Sequence, residues 1–346
     1  MSIGRQLGLP VFTFFAISGG LVFLGNKDVS VSSNPNLKTI RVAYFPNMTH
    51  APAIIGIGGG IWDRDLPGYR VDPQIVNAGP EAMEALLAKQ IDFSFVGPSP
   101  AINAYMKSDG KALRIISGVC LGGASLIRRA DVVIDTIRDL NGKRVAVPQL
   151  GGTQDVSCRY FLSQNGLQSE ERGGTVEIVP IKNPDILALF LGKQIDAAWV
   201  PEPWAARIKK DAGAKTVVDE RDLWPDRKFS ATVLVVRSEF ADAHPEVVEN
   251  VLRAHLDTLD WIKTHESEAK GTLNSELKRL TGKALPKDVL EEAWSHVLFS
   301  DDLNESSIES IAKAAIVAGY QKPSKLSLAS LIDSTRLVKA RGDHPR

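Results

Sequence analysis

Residues 85–107 read ALLAKQIDFSFVGPSPAINAYMK, and residues 188–210 read ALFLGKQIDAAWVPEPWAARIKK. Both contain the tetrapeptide KQID, at 89–92 and at 193–196, followed by a short apolar run. The similarity extends upstream, because IRVAYFPNMTHAPAII contains Arg41 and KRVAVPQLGGTQDVSCRYFL contains Arg144 at matching places. A block of roughly 65 residues therefore occurs twice, at 41–107 and at 144–210.

The two blocks share one order of elements. Each begins with a short apolar run, VAYF or VAV, that is typical of a buried strand, and a polar loop and a helix follow. A second apolar strand leads into a helix with proline in its first turn, Pro80 or Pro184, and KQID is the turn that leaves this helix. A third apolar strand comes next. This alternation predicts an α/β protein with parallel strands and right-handed crossovers.

Two such blocks predict two similar lobes, each a mainly parallel sheet flanked by helices. The apolar segments 113–129, with a break at Gly122–Gly123, and 229–240 are predicted to be long strands that cross between the lobes as a hinge. On this division lobe 1 comprises 38–120 plus 235–346, with helices towards the C-terminus, and lobe 2 comprises 124–230.

Residues 1–33 differ in composition from the rest of the chain. Arg5 precedes an almost charge-free apolar stretch, Leu7 to Gly25, and a polar strip rich in serine and asparagine follows. At roughly 18 residues the apolar stretch fits a secretory signal peptide or an uncleaved anchor, with a buried core helix as the other alternative. No cysteine follows it, so a lipoprotein anchor is not available. We expect the body of the protein to lie outside the cytoplasmic membrane.

The composition excludes several classes of function. The formal net charge is zero, and the sequence has no basic run or zinc-ligand spacing, so neither nucleic acid nor a metal is expected. Cys120 and Cys158 are isolated from each other and are typical of small buried side chains. No cofactor is expected.

The predicted loops at the carboxyl ends of the strands are candidates for a binding site, because ligands of open α/β sheets lie there. They read PNMTHAP, VGPSPA, GGAS, QLGGTQD and VPEPW. Thr49, Ser99 and Thr153 each precede a predicted helix. Free N–H groups at a helix start suit a small anion, although these three residues could equally be simple N-caps.

The VPEPW loop and the helix after QLGGTQD add further candidates. Trp204 could form a ligand wall or pack in the core. Glu202 and Asp155 could be caps or solvated charges, or they could receive the ammonium group of a zwitterion. His50 is the histidine in a loop of the predicted cleft, and no partner base or acid is evident for it.

The segments YFPNMTHAPAI, VGPSPAINA, PQLGGTQDV, GKQIDAAWVPEPWA and DERDLWP together resemble the solute-binding proteins of ABC importers for aliphatic sulfonates, nitrate and taurine. The resemblance is dense over 40–240 and looser over the C-terminal helices. It implies a type II periplasmic-binding-protein-like fold with two crossover strands as a hinge. It also implies a monomer that holds an oxyanion between its lobes and delivers it to an ABC permease with its ATPase.

The resemblance carries the family's ligand contacts to a set of loop positions, to which His50 and Asp155 are added from the loops themselves. The carried-over positions are Asn47, Thr49, Ser99, Gly123, Thr153, Gln154, and Glu202 with Trp204. The first loop is less similar to the nitrate-binding branch, which favours a sulfonate. The lack of a lipoprotein cysteine favours a Gram-negative periplasm.

Three alternatives remain open at this point. Relatives on this fold include a sulfinate desulfinase, which would require a cysteine nucleophile in the cleft, and PNMTHAP has none. The solute could instead be nitrate, taurine, bicarbonate, riboflavin or a thiamine-type pyrimidine, although few aromatic residues are placed to stack on a pyrimidine. A sensor that partners a membrane receptor would need the same closing module.

Overall fold

The computed structural model of the protein describes residues 37–323 and 327–342. The predicted signal peptide or anchor at 1–33 lies outside the described residues. Residues 37–342 contain two mixed sheets flanked by helices, as the α/β prediction requires. In the described part of the chain, no helix combines the length and the apolar character that crossing a membrane requires.

The first block contributes three parallel strands to a six-stranded sheet with the order β11-β4-β10-β3-β1-β2. Antiparallel strands complete this sheet on one side. The elements up to the first connection are β1 (Lys38–Tyr44), α1 (Ala51–Gly58), α2 (Ile61–Asp65), β2 (Tyr69–Ile75), α3 (Gly79–Leu87), β3 (Phe93–Val96), α4 (Pro98–Lys107) and β4 (Leu113–Gly122).

The second block contributes three parallel strands to a five-stranded sheet with the order β7-β6-β8-β5-β9. Here too the other strands are antiparallel, so the parallel strand pairs among the described strands belong to the repeated blocks and both sheets are mixed. The elements are β5 (Ala124–Arg128), β6 (Arg144–Val147), α5 (Thr153–Gln164), β7 (Glu177–Pro180), α6 (Asn183–Leu191), β8 (Ala197–Pro201), α7 (Trp204–Ala212) and β9 (Lys215–Asp219).

The chain passes between the sheets at two places. The first is the Gly122–Gly123 break, where both residues have positive φ, and β4 and β5 lie in different sheets on either side of it. The second was predicted within 229–240, and this detail is wrong. β10 (Ser230–Arg237) pairs only within the first sheet, and the chain crosses before it, through short 3-10 turns between Glu220 and Phe229.

The C-terminal segment packs against helices that flank both sheets. It comprises α8 (Ser238–Ala243), α9 (Pro245–Thr264), α10 (Glu266–Thr281), α11 (Lys287–Ser295), β11 (Val297–Phe299), α12 (Glu305–Val317) and α13 (Ser334–Gly342). Helix α12 packs against α4 and α5, and α11 packs against α7. Lys209 pairs with Glu292 at 2.5 Å, which ties α7 to α11. This segment therefore braces elements that flank different sheets.

The aspartate of each KQID turn joins the first and third strands of its block. Asp92 Oδ2 accepts from the backbone N–H of Arg41 at 3.1 Å, and Asp196 Oδ2 accepts from that of Arg144 at 2.9 Å. In both blocks the aspartate's own N–H donates to the carbonyl of the same arginine at 2.9 Å. The lysine of each turn has positive φ, as expected for a residue that leaves a helix. KQID is therefore a structural motif in both blocks.

A second arginine, at the end of the neighbouring antiparallel strand, pairs with the aspartate of each KQID turn. Arg237, at the end of β10, pairs with Asp92 at 3.1 Å, and Arg129, after β5, pairs with Asp196 at 3.5 Å. Burial opposes ionisation of Asp92, but hydrogen bonds from Arg41 and Arg237 outweigh it and lower its pKa.

Asp92→Ala should lower the free energy of unfolding by about 2–4 kcal/mol, because it leaves two arginines without their buried partner. Urea unfolding at neutral pH measures the effect. Asp196→Ala is the matched control, and its loss should be smaller because the Asp196 side chain is 22% exposed against 3% for Asp92. Equal stability of Asp92→Ala and the unmodified protein would contradict a structural role for the motif.

Glu220 begins the second connection and is completely buried. Its carboxylate accepts hydrogen bonds from Ser157 Oγ, from Trp199 Nε1 at 2.8 Å and from Trp224 Nε1 at 3.4 Å. Burial raises the pKa of Glu220 to about 7, and these donors only partly offset that effect.

Because the pKa of Glu220 is raised on folding, folded Glu220 holds its proton at pH values where the unfolded chain has lost it. Its contribution to stability is present below pH 4.5 and declines as the pH rises to about 7. We expect it to account for about 3 kcal/mol across that range. Glu220→Gln should flatten this part of the profile, measured as urea midpoints against pH. A profile identical to that of the unmodified protein would contradict the assignment.

Candidate functional site

A cavity of about 30 Å³ lies where the carboxyl ends of the parallel strands of both sheets meet. Residues that follow β1, β2 and β3 line one side, and residues that follow β6 and β7, with the last residue of β8, line the other. The first set is Phe45, Asn47, Asn77, Ala78, Gly79 and Gly97. The second set is Pro148, Gln149, Gly152, Thr153, Gln154, Asn183 and Pro201. Both repeated blocks therefore build the same cavity.

Four helices begin at this cavity. Helices α3, α5 and α6 start at the lining residues Gly79, Thr153 and Asn183, and α4 follows the lining residue Gly97. No N-cap side chain of these helices accepts a hydrogen bond from the first turn. The first N–H groups of a helix have no partner within it and carry a partial positive charge, so this arrangement suits a small anion. Prolines in the first turns of α3, α4 and α6 remove some of these donors, and α5 has no proline there.

The side chains at the cavity are polar but uncharged. None of the described lining residues is acidic or basic, and five of them carry a carboxamide. These five are Asn47, Asn77, Gln149, Gln154 and Asn183. A carboxamide offers both a donor and an acceptor, so such a lining can bind a small charged group by hydrogen bonds without burying a counter-ion.

Trp204 fixes the orientation of Asn47. The indole Nε1 donates to Asn47 Oδ1 at 3.0 Å, and an indole nitrogen can only donate. The Asn47 oxygen is thereby occupied, and its amide NH₂ is the end left to donate. Trp204 is 9% exposed and is not a lining residue of the cavity, so of the two roles left open for it the structure shows packing, with the indole positioning Asn47.

Trp204→Phe should weaken solute binding about two- to tenfold, because Asn47 then loses the bond that holds its amide in a donating orientation. Isothermal titration with a bound solute measures the change. Trp261→Phe is the matched control. Trp261 lies in α9 and stacks on His265, which directly follows that helix, and neither residue lines the cavity. The interpretation is wrong if both variants bind like the unmodified protein.

Thr153 and Gln154, both predicted as contacts, line the cavity. Thr153 also lies against the opposite side, because a Cβ at Gly97 would be 2.0 Å from Thr153 Oγ1. A side chain at position 97 would therefore require Thr153 Oγ1 to move. The Thr153 hydroxyl forms no hydrogen bond to other described residues.

Thr49, Ser99 and Gly123 lie behind the lining. Thr49 is in a 3-10 turn, Met48–His50, and Ser99 is the second residue of α4, so neither is the N-cap that the alternative interpretation required. Thr153 is the first residue of its helix and is not an N-cap either. A Cβ at Gly123 would meet Thr49 Cγ2 at 2.9 Å, so these two residues pack against each other.

His50 supports the lining residue Phe45 from behind. The two rings stack with centroids 4.1 Å apart, and His50 is 2% exposed. Burial lowers the pKa of His50 to about 3, so it is neutral and supplies no cation to a ligand.

The two predicted acids lie outside the cavity lining. Asp155 is fully buried, pairs with Arg159 at 2.7 Å, and accepts from the Gly151 N–H at 2.7 Å and from the Tyr320 hydroxyl. These partners occupy its carboxylate, and the ligand contact expected of Asp155 stays a prediction that this placement does not favour.

Glu202 is also fully buried. Its Oε2 accepts from the Ala206 N–H at 2.9 Å, and its backbone carbonyl accepts from the Met48 N–H at 3.1 Å. Its Oε1 has no partner among the described residues, and burial raises the pKa of the carboxyl. Glu202 therefore anchors the start of α7 and joins residues that follow strands of the two sheets.

Sequence reasoning missed Asn77, Gln149 and Asn183. Asn77 lies in the loop after β2, and Asn183 is the first residue of the helix after β7; these connections were not among the predicted candidates. The rule that ligands lie beyond carboxyl ends of strands applies to them equally and would have included them.

Comparison with known proteins bears on this geometry. The family model described as NMT1-like matches residues 33–272. The chain belongs to the NMT1-like family. It is 26% identical to the putative aliphatic sulfonates-binding protein of Bacillus subtilis, covering 89% of this chain and 90% of the relative. It is 28% identical to the taurine-binding periplasmic protein of Escherichia coli, covering 62% of this chain and 65% of the relative.

Solved structures show the same fold at lower identity. The alkanesulfonate-binding protein SsuA from Xanthomonas axonopodis, bound to MOPS, matches with a TM-score of 0.71 and 18% identity over 86% of this chain and 98% of that one. The periplasmic nitrate-binding protein NrtA from Synechocystis matches with a TM-score of 0.74 and 15% identity over 89% of both chains. This NMT1-like protein therefore has the two-sheet α/β fold of periplasmic binding proteins.

Proposed function

We propose that this protein is an extracytoplasmic solute-binding protein that captures a small oxyanion and delivers it to an ABC permease. The observation that carries the proposal is an uncharged, carboxamide-lined cavity at which four helices begin. An anion is held there by N–H dipoles, so no lysine or arginine is buried with it. An aliphatic sulfonate is the proposed solute class, since relatives named for sulfonates and taurine match most of the chain.

The two sheets with their helices are the proposed lobes of the clamp. The expected bounds were 38–120 plus 235–346 and 124–230, and because β10 lies in the first sheet the first lobe is proposed to resume at 230. Contacts between the lobes surround the cavity. The Met48 N–H donates to the Glu202 carbonyl, Trp204 donates to Asn47, and Gly97 lies against Thr153. These contacts describe the closed form, in which the bound solute is shielded from water and the permease recognises the two lobes together.

The proposed location follows from the same function. Residues 1–33 act as a signal peptide or an anchor, and the binding domain works in the periplasm or on the outer face of the cytoplasmic membrane. The partners are the permease with its ATPase, and the binding protein acts as a monomer.

A desulfinase-like activity is the rival on this fold, and DSZB bound to biphenyl-2-sulfinic acid matches with a TM-score of 0.61. A thiolate nucleophile would have to reach the cavity. Cys120 and Cys158 are completely buried outside the lining, and burial raises the pKa of both thiols. This placement favours binding over that reaction.

A thermal-shift screen of the full-length protein, freed of co-purified ligand, tests the proposal. The panel comprises taurine, short and long alkanesulfonates, nitrate, bicarbonate and a thiamine pyrimidine. A solute at about 1,000 times its Kd stabilises the folded protein by about 4 kcal/mol, which gives a clear upward shift. A shift with a sulfonate and none with nitrate supports the proposed solute class. No shift with any of these oxyanions contradicts the proposal.

Thr153→Ala should weaken oxyanion binding about tenfold, because it removes a hydroxyl donor from the cavity wall. Isothermal titration measures the change. Ser99→Ala is the matched variant, since Ser99 has a similarly unpaired hydroxyl in a first helical turn but lies outside the lining. Its affinity should change less. Unchanged affinity of Thr153→Ala would remove this loop from the site.

A further inference from the structure

Helix α12 is attached at its start to the first lobe. The N–H of Ser230, the first residue of β10, donates to Ser307 Oγ in the first turn of α12 at 3.0 Å. The Gly118 N–H in β4 donates to the Asp301 carbonyl, shortly before the helix, at 3.1 Å. Because β4 and β10 belong to the first sheet, these bonds fix the beginning of α12 to the first lobe.

The end of α12 is held by the second lobe. Arg172 lies in a short 3-10 turn of that lobe, and its Nη1 donates to the carbonyl of Val317, the last residue of α12, at 2.7 Å. A cation at this end of a helix also interacts favourably with the helix dipole. Gly319 follows with positive φ, and a Cβ there would lie 3.3 Å from Arg172 Nη1. The guanidinium therefore lies directly against the helix end.

Tyr320 makes a second contact with the second lobe, next to the cavity. Its hydroxyl donates to Asp155 in the first turn of α5, and a Cβ at Gly151 would lie 3.4 Å from Tyr320 Cε1. The Arg159 guanidinium lies over the same ring, 5.6 Å from its centroid. Burial and the Asp155 carboxylate raise the pKa of Tyr320, so the hydroxyl keeps its proton and donates. Because α5 begins at the lining residue Thr153, this contact reaches the element that forms one cavity wall.

We propose that Tyr320 and Arg172 are positioning residues that form a latch, which holds the end of α12 on the second lobe when the two lobes are closed. This inference rests on the proposed two-lobed clamp. Because the start of α12 moves with the first lobe, rotation of the second lobe about the two chain crossings separates the helix end from Arg172 and Asp155.

The latch acts on closure and not on the solute itself. Neither Tyr320 nor Arg172 lines the cavity. The latch contacts stabilise the closed form, and every solute that binds this form gains the same factor in affinity whatever its chemistry. Loss of the latch therefore weakens all solutes alike, whereas loss of a cavity contact changes their ranking.

Tyr320→Phe tests the latch on the full-length protein, since it removes the hydroxyl and keeps the ring. The Met48 N–H donates across the lobes to the Glu202 carbonyl, so its hydrogen exchange, followed by NMR, reports opening. In the solute-free protein Tyr320→Phe should speed this exchange about three- to tenfold. The Kd values for ethanesulfonate and for taurine, measured by isothermal titration, should both rise by a similar factor.

Tyr105→Phe is the matched control. Tyr105 in α4 donates its hydroxyl to the Ser327 carbonyl at 3.2 Å, and both residues belong to the first lobe. Met48 exchange and both Kd values should therefore stay unchanged in this variant. Arg172→Met is a second test of the latch. It alters an exposed side chain, and it should act in the same direction as Tyr320→Phe. Thermal midpoints establish that the variants fold.

The outcomes separate the latch from the proposed function. If neither sulfonate nor any other oxyanion of the screen binds the unmodified protein, the proposed function fails, and Met48 exchange still decides whether the latch exists. Unchanged Met48 exchange in both Tyr320→Phe and Arg172→Met overturns the latch. A Kd that rises for one solute only also overturns it, because Tyr320 then acts on the cavity wall through Asp155 and not on closure.

Discussion

The hydrogen bond from an arginine N–H to the aspartate of KQID sets the arrangement on which the cavity depends. It joins the first strand of each block to the start of the third, at Arg41 and Asp92 and again at Arg144 and Asp196. With that end fixed, β1 and β3 pair from Val42 and Phe93 onwards, and β6 and β8 pair from Val145 and Ala197 onwards. The carboxyl ends of these paired parallel strands therefore lie at the same edge of each sheet, and the loops that follow them meet at the cavity.

The electrostatics of the site follow from this geometry. Four helices begin where the strands end, so their unpaired N–H groups provide a positive potential without a side-chain cation. His50, the basic group nearest the lining residue Phe45 in the loop, is neutral because it is buried. On the proposed function, discrimination among anions would depend on which hydrogen bonds the carboxamides can form, since every monoanion would gain similarly from the helix ends.

Much of the fold and part of the site could be predicted from the sequence. The repeat specified the order of strands and helices, and the rule for carboxyl ends located Asn47, Thr153 and Gln154 at the cavity. The position of a residue in a loop does not, however, specify which way its side chain points. Ser99, the second residue of α4, is not a lining residue although Gly97, just before the helix, lines the wall. Asp155 likewise faces Arg159 and Tyr320, partners that are identified only in three dimensions.

The second connection could not be placed because 229–240 has the apolar pattern of a strand that either sheet could accept. Its pairing with β3 and β4 places this strand in the first sheet. Pairing between segments that are distant in sequence cannot be predicted from a single sequence. The carboxamides were missed for a different reason. Asparagine is a common turn former, so Asn77 and Asn183 looked like ordinary loop residues.

The repeat gives the protein an internal reference copy. Gly79 and Asn183 each begin the helix after the second strand of a block, and each is followed by proline. A side chain at 79 would collide with Pro100, whose Cγ would lie 2.2 Å from the new Cβ. Position 183 has no such restriction and holds an amide. Where the two copies agree, as at KQID, they record what the fold requires. At 79 and 183 they differ because Pro100 leaves no room for a side chain at 79, so only the second copy places an amide at this point of the cavity.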